Sequence, residues 1–229
     1  MLSVLIVCRR VDALLMRTVK SVEELKPQIL IDISEGNEAL GIRKNRLITR
    51  AAHDWVLVLD TDETISQPLA KEIHEIVKHS RSEIHGYKIQ YRNYSFGRAT
   101  SYGGEKFAKT RLFQKRYGLI TPLTIHEEIH IDGKINKLNG FIQHYSYRSF
   151  IQLLIKFTKY AWQVAGEKRK AHERVTLKKL FLYGPHMVWA RVIKDEGWRD
   201  GWRGIVIALC FGYMETLTYW LLLWRKLFS

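Results

Sequence analysis

Short apolar strands alternating with helical spacings through the first half of the chain predict an α/β protein with a Rossmann-like, mostly parallel sheet flanked by helices. An uninterrupted apolar third strand at Trp55–Leu59 supports this, because such runs suit a parallel strand covered on both faces. From Phe150 onward the pattern turns helical, basic and aromatic, which predicts a C-terminal extension on that sheet domain. The 229 residues suffice for one domain with an appendage, divided near His144 into a core over 1–144 and an extension over 145–229.

The elements follow in order. Ser3–Cys8 reads as a first strand and not as a leader peptide, being far too short for one. Leu14, Leu15, Thr18, Val19, Val22 and Leu25 carry a helical spacing over Val11–Leu25, and Pro27 ends it before a second strand at Ile29–Ile33. Leu47, Ile48 and Ala51 give Asn45–Ala52 one apolar helical face. After the third strand, Ser66 can cap a helix whose first turn tolerates Pro68 and whose stripe is Leu69, Ile73, Ile76 and Val77. Further on the pattern is less regular, with extended candidates at Gly86–Arg92, Arg111–Gln114 and Ile129–Ile131.

Composition narrows the partners. Apolar residues make up 46% and charged residues 26%, which argues against wholesale disorder. The cysteines, Cys8 and Cys210, lie far apart in apolar runs and form neither a disulfide framework nor a metal-ligand spacing, which favours a reducing compartment. The formal charge is +14, and the stretch Arg148–Arg203 concentrates it, with 13 Lys and Arg against 5 Asp and Glu. No finger, helix-turn-helix or aromatic-plus-basic module accompanies that charge, so nucleic acid is not an expected partner. An anionic membrane surface is, because the apolar run 205–224 follows, ending in Arg225 and Lys226. Three readings of that run stay open: a helix lying on or partly in the membrane, a buried helix, or a span interrupted by Glu215. Peripheral or monotopic membrane attachment is the expected localisation.

Chemistry concentrates at Asp60-Thr61-Asp62, immediately after the third strand. Ligands of open α/β sheets gather beyond the carboxyl ends of the strands. Two acids at i and i+2 in extended chain point to one side and repel, and Mg²⁺ or Mn²⁺ would relieve that repulsion while binding substrate phosphates. The same residues with Glu63 could also form an ordinary polar turn before a helix.

The wider pattern resembles family 2 glycosyltransferases, most closely the bacterial branch that adds glucose or heptose to lipopolysaccharide cores. The resemblance runs through Asn45-Arg46, Asp54–Glu63, Arg111-Leu112-Phe113, His126-Glu127-Glu128, His144–Ser149 and Asp200-Gly201. It implies a GT-A fold and inverting transfer from a nucleotide-diphosphate sugar, UDP-linked by preference, to a cell-envelope glycan or lipid-linked saccharide. Asp60 and Asp62 match its metal positions, and Asp60 also its donor-phosphate position. Asp32, ending the second strand, falls where the family places an acid near the nucleotide. Glu127 matches the general-base position, with Glu128 its neighbouring alternative; a carboxylate at its ordinary pKa can accept the acceptor's proton. His126, His144, Lys109 and Arg111 are candidate donor-binding residues. The aromatic, polar and glycine-rich Tyr91–Arg98 and Ser101–Glu105 suit an acceptor loop, although turn chemistry alone would also explain Gly97, Gly103 and Gly104. The resemblance also implies work at the cytoplasmic side of the cell membrane. The chain departs from the family at Arg9-Arg10-Val11-Asp12 and in the Ser34–Glu38 loop, so a non-catalytic, membrane-associated nucleotide-sugar or glycan-binding homologue is the alternative.

Overall fold

The structure is a computed structural model that describes residues 1–34, 38–79, 83–121 and 128–228. It divides into two compact units, one of residues 1–92 and 107–144, the other of 93–106 and 145–229.

The first unit opens with β1 (Leu2–Cys8), α1 (Ala13–Val22) and β2 (Gln28–Ile33). Asp12 caps α1, its carboxylate accepting the N–H groups of Leu14 and Leu15. There follow α2 (Leu40–Arg50), β3 (Trp55–Asp60), β4 (Glu63–Ile65) and α3 (Gln67–Lys78), the last capped by Ser66 as its sequence predicts. Next come β5 (Ile84–Ser95), β6 (Arg98–Thr100), β7 (Ala108–Gln114), the short antiparallel pair β8 (Gly118–Ile120) and β9 (Ile129–Ile131), and β10 (Lys134–Tyr147). Among the described residues the main sheet runs β2-β1-β3-β7-β5-β10-β4, with β6 on β5.

The expected parallel order holds where the sequence is regular: β2 and β3 both pair in parallel with β1. Beyond β3 the sheet becomes antiparallel through β7 and β5, and β10 pairs antiparallel with β4. The alternation of β3 explains its unbroken apolar run. Trp55, Leu57 and Leu59 pack on one face with Leu15 and Val22 of α1 and Leu69 and Ile73 of α3. Val56 and Val58 pack on the other with Leu47 and Ile48 of α2 and Phe113 of β7. Gly140 lets β10 approach α3, since a Cβ there would lie 2.4 Å from the Cα of Leu69.

Two helical expectations differ in extent. The segment read as Val11–Leu25 is α1 followed by a 3₁₀ turn at Glu23–Leu25 that stops at Lys26, whose φ is 45°. The helix read from Asn45 begins at Leu40, which brings Arg43 and Lys44 onto it.

The second unit contains the Asn93–Thr100 hairpin and α4 (Phe150–Lys170), α5 (Leu177–Phe181), α6 (Tyr183–Trp189) and α7 (Trp202–Leu227). A π turn at Ala190–Lys194 and a 3₁₀ turn at Gly197–Asp200 join the last two. Phe157 and Leu153 of α4 pack with Ile207 and Cys210 of α7. The backbones of α6 and α7 cross closely at Gly184 and Gly212, where an added Cβ would meet the other glycine's carbonyl at 2.7 and 2.9 Å. Residues 101–105 are held by the turn after α6. The Asp200 carboxylate accepts the N–H groups of Ser101 and Tyr102 at 2.9 Å, the Gly103 N–H donates to the Asp195 carbonyl, and Arg191 pairs with Glu105 at 2.6 Å.

Glu173 is the electrostatic hub of this unit. Its carboxylate accepts from Lys168, Lys179 and the Tyr219 hydroxyl at 2.8–2.9 Å. Burial opposes its charge, but those donors prevail and lower its pKa from 4.5 to about 2. A depressed carboxylate stabilises the fold above its unfolded pKa. This contribution is therefore complete above about pH 4.5 and lost as pH falls toward 2. The Glu173→Gln variant is expected to lose about 1–2 kcal/mol at neutral pH after solvent screening, and to lose less stability than the parent between those pH values. Urea unfolding across that range checks both.

Candidate functional site

The acids of the Asp60-Thr61-Asp62 turn have different surroundings. Asp60 ends β3 with each carboxylate oxygen already paired: Oδ1 receives Lys44 Nζ at 2.8 Å and Oδ2 receives Arg111 Nη2 at 2.8 Å. The Lys44 side chain is 1% exposed and that of Arg111 7%, whereas Asp60 remains 37% exposed. Burial alone would raise the Asp60 pKa. The charges of Lys44 and Arg111 reverse this and hold it well below the usual carboxylate range.

Glu63 sits beneath the turn. Its Oε2 accepts the backbone N–H of Asp60 at 2.9 Å, and its Oε1 accepts from Arg111 and the Tyr91 hydroxyl, each at 2.9 Å. Arg111 Nε also donates to the Tyr91 oxygen. Burial raises the Glu63 pKa despite the pull of Arg111, and burial likewise pushes the Tyr91 phenol well upward. From α1, the Thr18 hydroxyl donates to the carbonyls of Thr61 and Glu63 at 2.9 and 2.6 Å, which fixes the turn's path.

Asp62 projects from this scaffold and meets His144 of β10 at 3.5 Å. The His144 ring stands edge-on to Tyr91, with centroids 5.9 Å apart. Lys109 lies two residues before Arg111 on β7. The crowding of its ammonium, and then the like charge of Arg111, lower its pKa although the side chain as a whole is exposed. The structure thus brings Asp60, Asp62, Arg111 and His144 into one network, joined by Lys44, Glu63 and Tyr91.

Asp32 belongs to a second cluster, at the ends of β1 and β2. It pairs with Arg43 at 2.8 Å and faces Arg46 at 3.8 Å. Buried Arg43 also donates to the carbonyls of Cys8, Asp32 and Ser34. The hydrogen bond from Arg43 outweighs burial and lowers the Asp32 pKa. Glu128 is exposed, and its N–H donates to the Thr121 hydroxyl. His126 and Glu127 lie outside the described residues. Asn45 fixes the strand that precedes them in sequence, its amide exchanging two hydrogen bonds with the backbone of Ile120.

Sequence reasoning missed Lys44, Arg43, Glu63 and Tyr91 as parts of these clusters. Starting the second helix at Asn45 left the basic pair in a loop. One more turn, beginning at Leu40, places Arg43 and Lys44 so that consecutive residues serve two different strand ends. Tyr91 carries no local signal, because only the β5–β7 pairing brings it to Arg111.

As to metal, the described residues hold no group of three or more His, Cys, Asp or Glu side chains suited to an ion. The repulsion that would call for a cation at Asp60 is already offset by Lys44 and Arg111. The donor set fits a Mg²⁺-type ion only as one or two carboxylates, Asp62 foremost, completed by substrate phosphates and water.

These surroundings predict responses of different size from the two acids. The Asp60→Ala variant removes the carboxylate shared by buried Lys44 and Arg111; discounted for the partial exposure of Asp60 and for the Glu63 contact that Arg111 retains, the expected loss is about 2–3 kcal/mol. The Asp62→Ala variant, at a partly exposed pair, is expected to lose about 1 kcal/mol or less. The parent's stability from Asp60 is present above the ordinary aspartate pKa and lost as pH falls through the depressed one. Chemical denaturation of both variants and the parent checks these expectations.

No family model matches the chain. It is similar to an uncharacterized glycosyltransferase of Rickettsia prowazekii, 24% identical over 225 residues that cover 82% of this chain and 74% of the relative. The lipopolysaccharide core biosynthesis glycosyltransferase LpsC of Rhizobium meliloti is 23% identical over 246 residues, which cover 95% of this chain and 90% of LpsC. Among solved structures, Staphylococcus aureus TarS 1–349 in complex with UDP-GlcNAc covers 98% of this chain and 91% of its own, at 10% identity and a TM-score of 0.43. The same protein in complex with UDP gives 100% and 92% coverage, 10% identity and a TM-score of 0.45. Those scores are too low to carry an argument about the site. In sequence, over four-fifths or more of its length, the chain is similar to bacterial glycosyltransferases.

Proposed function

We propose that the chain is an inverting glycosyltransferase. It moves a sugar from a nucleotide-diphosphate donor, UDP-linked by preference, to a cell-envelope glycan or lipid-linked saccharide at the cytoplasmic side of the membrane. One observation carries this reading. The Asp60-Thr61-Asp62 turn stands at the carboxyl end of β3, rigidly held through Asp60 and Glu63, with Asp62 left at its rim. Ligands of such sheets collect at that edge.

The roles divide as follows. Asp62, with a remaining lone pair of Asp60, would hold Mg²⁺ or Mn²⁺ together with the donor's diphosphate oxygens. The ion would supply charge stabilisation to the departing diphosphate. Lys109, exposed beside Arg111, and His144 beside Asp62 are the donors for phosphate oxygens. Arg111 is already bound to three partners and acts by orienting Asp60. Inversion requires a base for the acceptor hydroxyl, for which Glu127 is the candidate and Glu128 the alternative.

One observation favours a second reading, a non-catalytic homologue that binds a glycan or nucleotide sugar. Asp32, assigned to the nucleotide, is engaged by Arg43 and Arg46. The two readings separate in one assay. Transfer from UDP-, GDP- and ADP-linked sugars to membrane-extract acceptors is measured with Mn²⁺, with Mg²⁺ and after chelation. Divalent-dependent transfer is expected, falling by about a hundredfold or more in Asp62→Ala at unchanged folding, as loss of one transition-state charge contact does. Absence of turnover across the panel, with donor binding retained, selects the non-catalytic reading; absence of both overturns the proposal.

A further inference from the structure

Six of the seven tryptophans lie in the second unit, and none of the six is buried. Trp162, Trp189, Trp198, Trp202, Trp220 and Trp224 are 45–56% exposed, against 1% for Trp55 in the sheet. A large ring held half in and half out of the protein is costly in water, and tryptophan is enriched at membrane–water interfaces.

Their placement along α7 is ordered. The exposed residues Trp202, Ile205, Leu209, Tyr213, Trp220, Trp224 and Leu227 fall within an arc of roughly 100° at helical pitch. The buried residues Ile207, Cys210, Tyr219 and Leu222 occupy the opposite side, packed within the unit. Helix α4 carries a matching outward stripe of Ile151, Ile155 and Trp162. These stripes meet: the rings of Trp162 and Trp224 lie 6.4 Å apart, and Phe181 of α5 stands edge-on to Trp220 at 5.7 Å. Three helices therefore present one continuous apolar surface.

Charge identifies the occupant. Residues 145–228 hold 15 Lys and Arg against 6 Asp and Glu. The cations border the apolar surface: the Arg225 guanidinium lies 4.1 Å from the Trp162 centroid and that of Arg203 lies 4.6 Å from Trp202, while Arg169, Lys170, Arg174 and Lys178 are exposed. A second copy of so cationic a unit would meet like charge, whereas the headgroups of an anionic bilayer complement it. Helix α7 is the one described helix long and apolar enough to cross a membrane, with a mean hydropathy of 1.6. Yet one side of it is engaged with the other helices, which suits a helix lying in the interface plane.

We propose that the joined outward stripes of α4, α5 and α7 form a seat that lies flat in one leaflet of an anionic bilayer. The seat deepens the membrane-side reading above by naming the surface and its orientation. The Asp200 clamp then carries residues 101–105 with the seat, since Trp198 and Trp202 flank the residue that holds them.

Flotation of the full chain with phosphatidylglycerol-containing vesicles, and with phosphatidylcholine vesicles alone, tests this without donor or turnover, so its failure leaves the transferase reading standing. Strong binding to the anionic vesicles is expected. It should weaken in high salt and by about fivefold for each of Arg174→Gln and Lys178→Gln (about 1 kcal/mol per near-surface cation). Combined Ile155→Ser, Trp162→Ser and Leu209→Ser should reduce partitioning at least tenfold, with helicity checked by circular dichroism. On the unmodified chain, tryptophan emission should be quenched by lipids labelled high on the acyl chain and far less by lipids labelled near its end. Equal quenching by deep labels indicates a span and overturns the seat. So does failure to bind anionic vesicles, or a lipid-free dimer whose tryptophans are shielded from an aqueous quencher.

Discussion

Two buried cations from different parts of the chain, Lys44 on α2 and Arg111 on β7, converge on the carboxylate of Asp60. Both need carboxylates within reach, because an unpaired charge in the interior costs several kcal/mol, and Asp60 supplies one to each. Their charges in turn hold the Asp60 carboxylate ionised against burial. This mutual requirement ties the helix between β2 and β3 to the antiparallel half of the sheet, at the edge where an open α/β sheet collects ligands. Glu63 and Tyr91 complete it by satisfying the other donors of Arg111 and the backbone of Asp60.

The network separates two acids that look alike in sequence. Asp60 is committed on both oxygens and serves as the fixed point of the turn. Among the described residues Asp62 pairs with His144 at a longer distance, and its side chain stays partly exposed. A fixed residue beside a partly exposed one is the division of roles on which the proposed diphosphate site rests, since positioning shells lower the cost of reorganisation during reaction. The same logic repeats one strand away, where Arg43 gathers the ends of β1 and β2 around Asp32.

The second unit solves a different problem. Its helices bury one side of α7 and leave the other apolar, an arrangement that water disfavours and a lipid interface rewards. Glu173 holds three donors, so the charges of Lys168 and Lys179 are met within the unit, while Arg169, Lys170, Arg174 and Lys178 face outward.

Local pattern was enough to reveal the first three strands, the capping of the helix after Ser66, the acidic turn that ends the third strand and the helical, basic, aromatic tail. Each of these is written in neighbouring residues: an apolar run, a cap, a charge spacing. The antiparallel half of the sheet was not legible, because β7, β5 and β10 take their places through pairings distant in sequence. Lys44, Glu63 and Tyr91 escaped for the same reason, since a charge pair formed across strands leaves no periodicity behind. The run 205–224 was compatible with burial, spanning or lying flat as a string of residues. Packing resolved it into a buried side and an exposed stripe, because only neighbouring helices determine which face of an all-apolar helix meets protein.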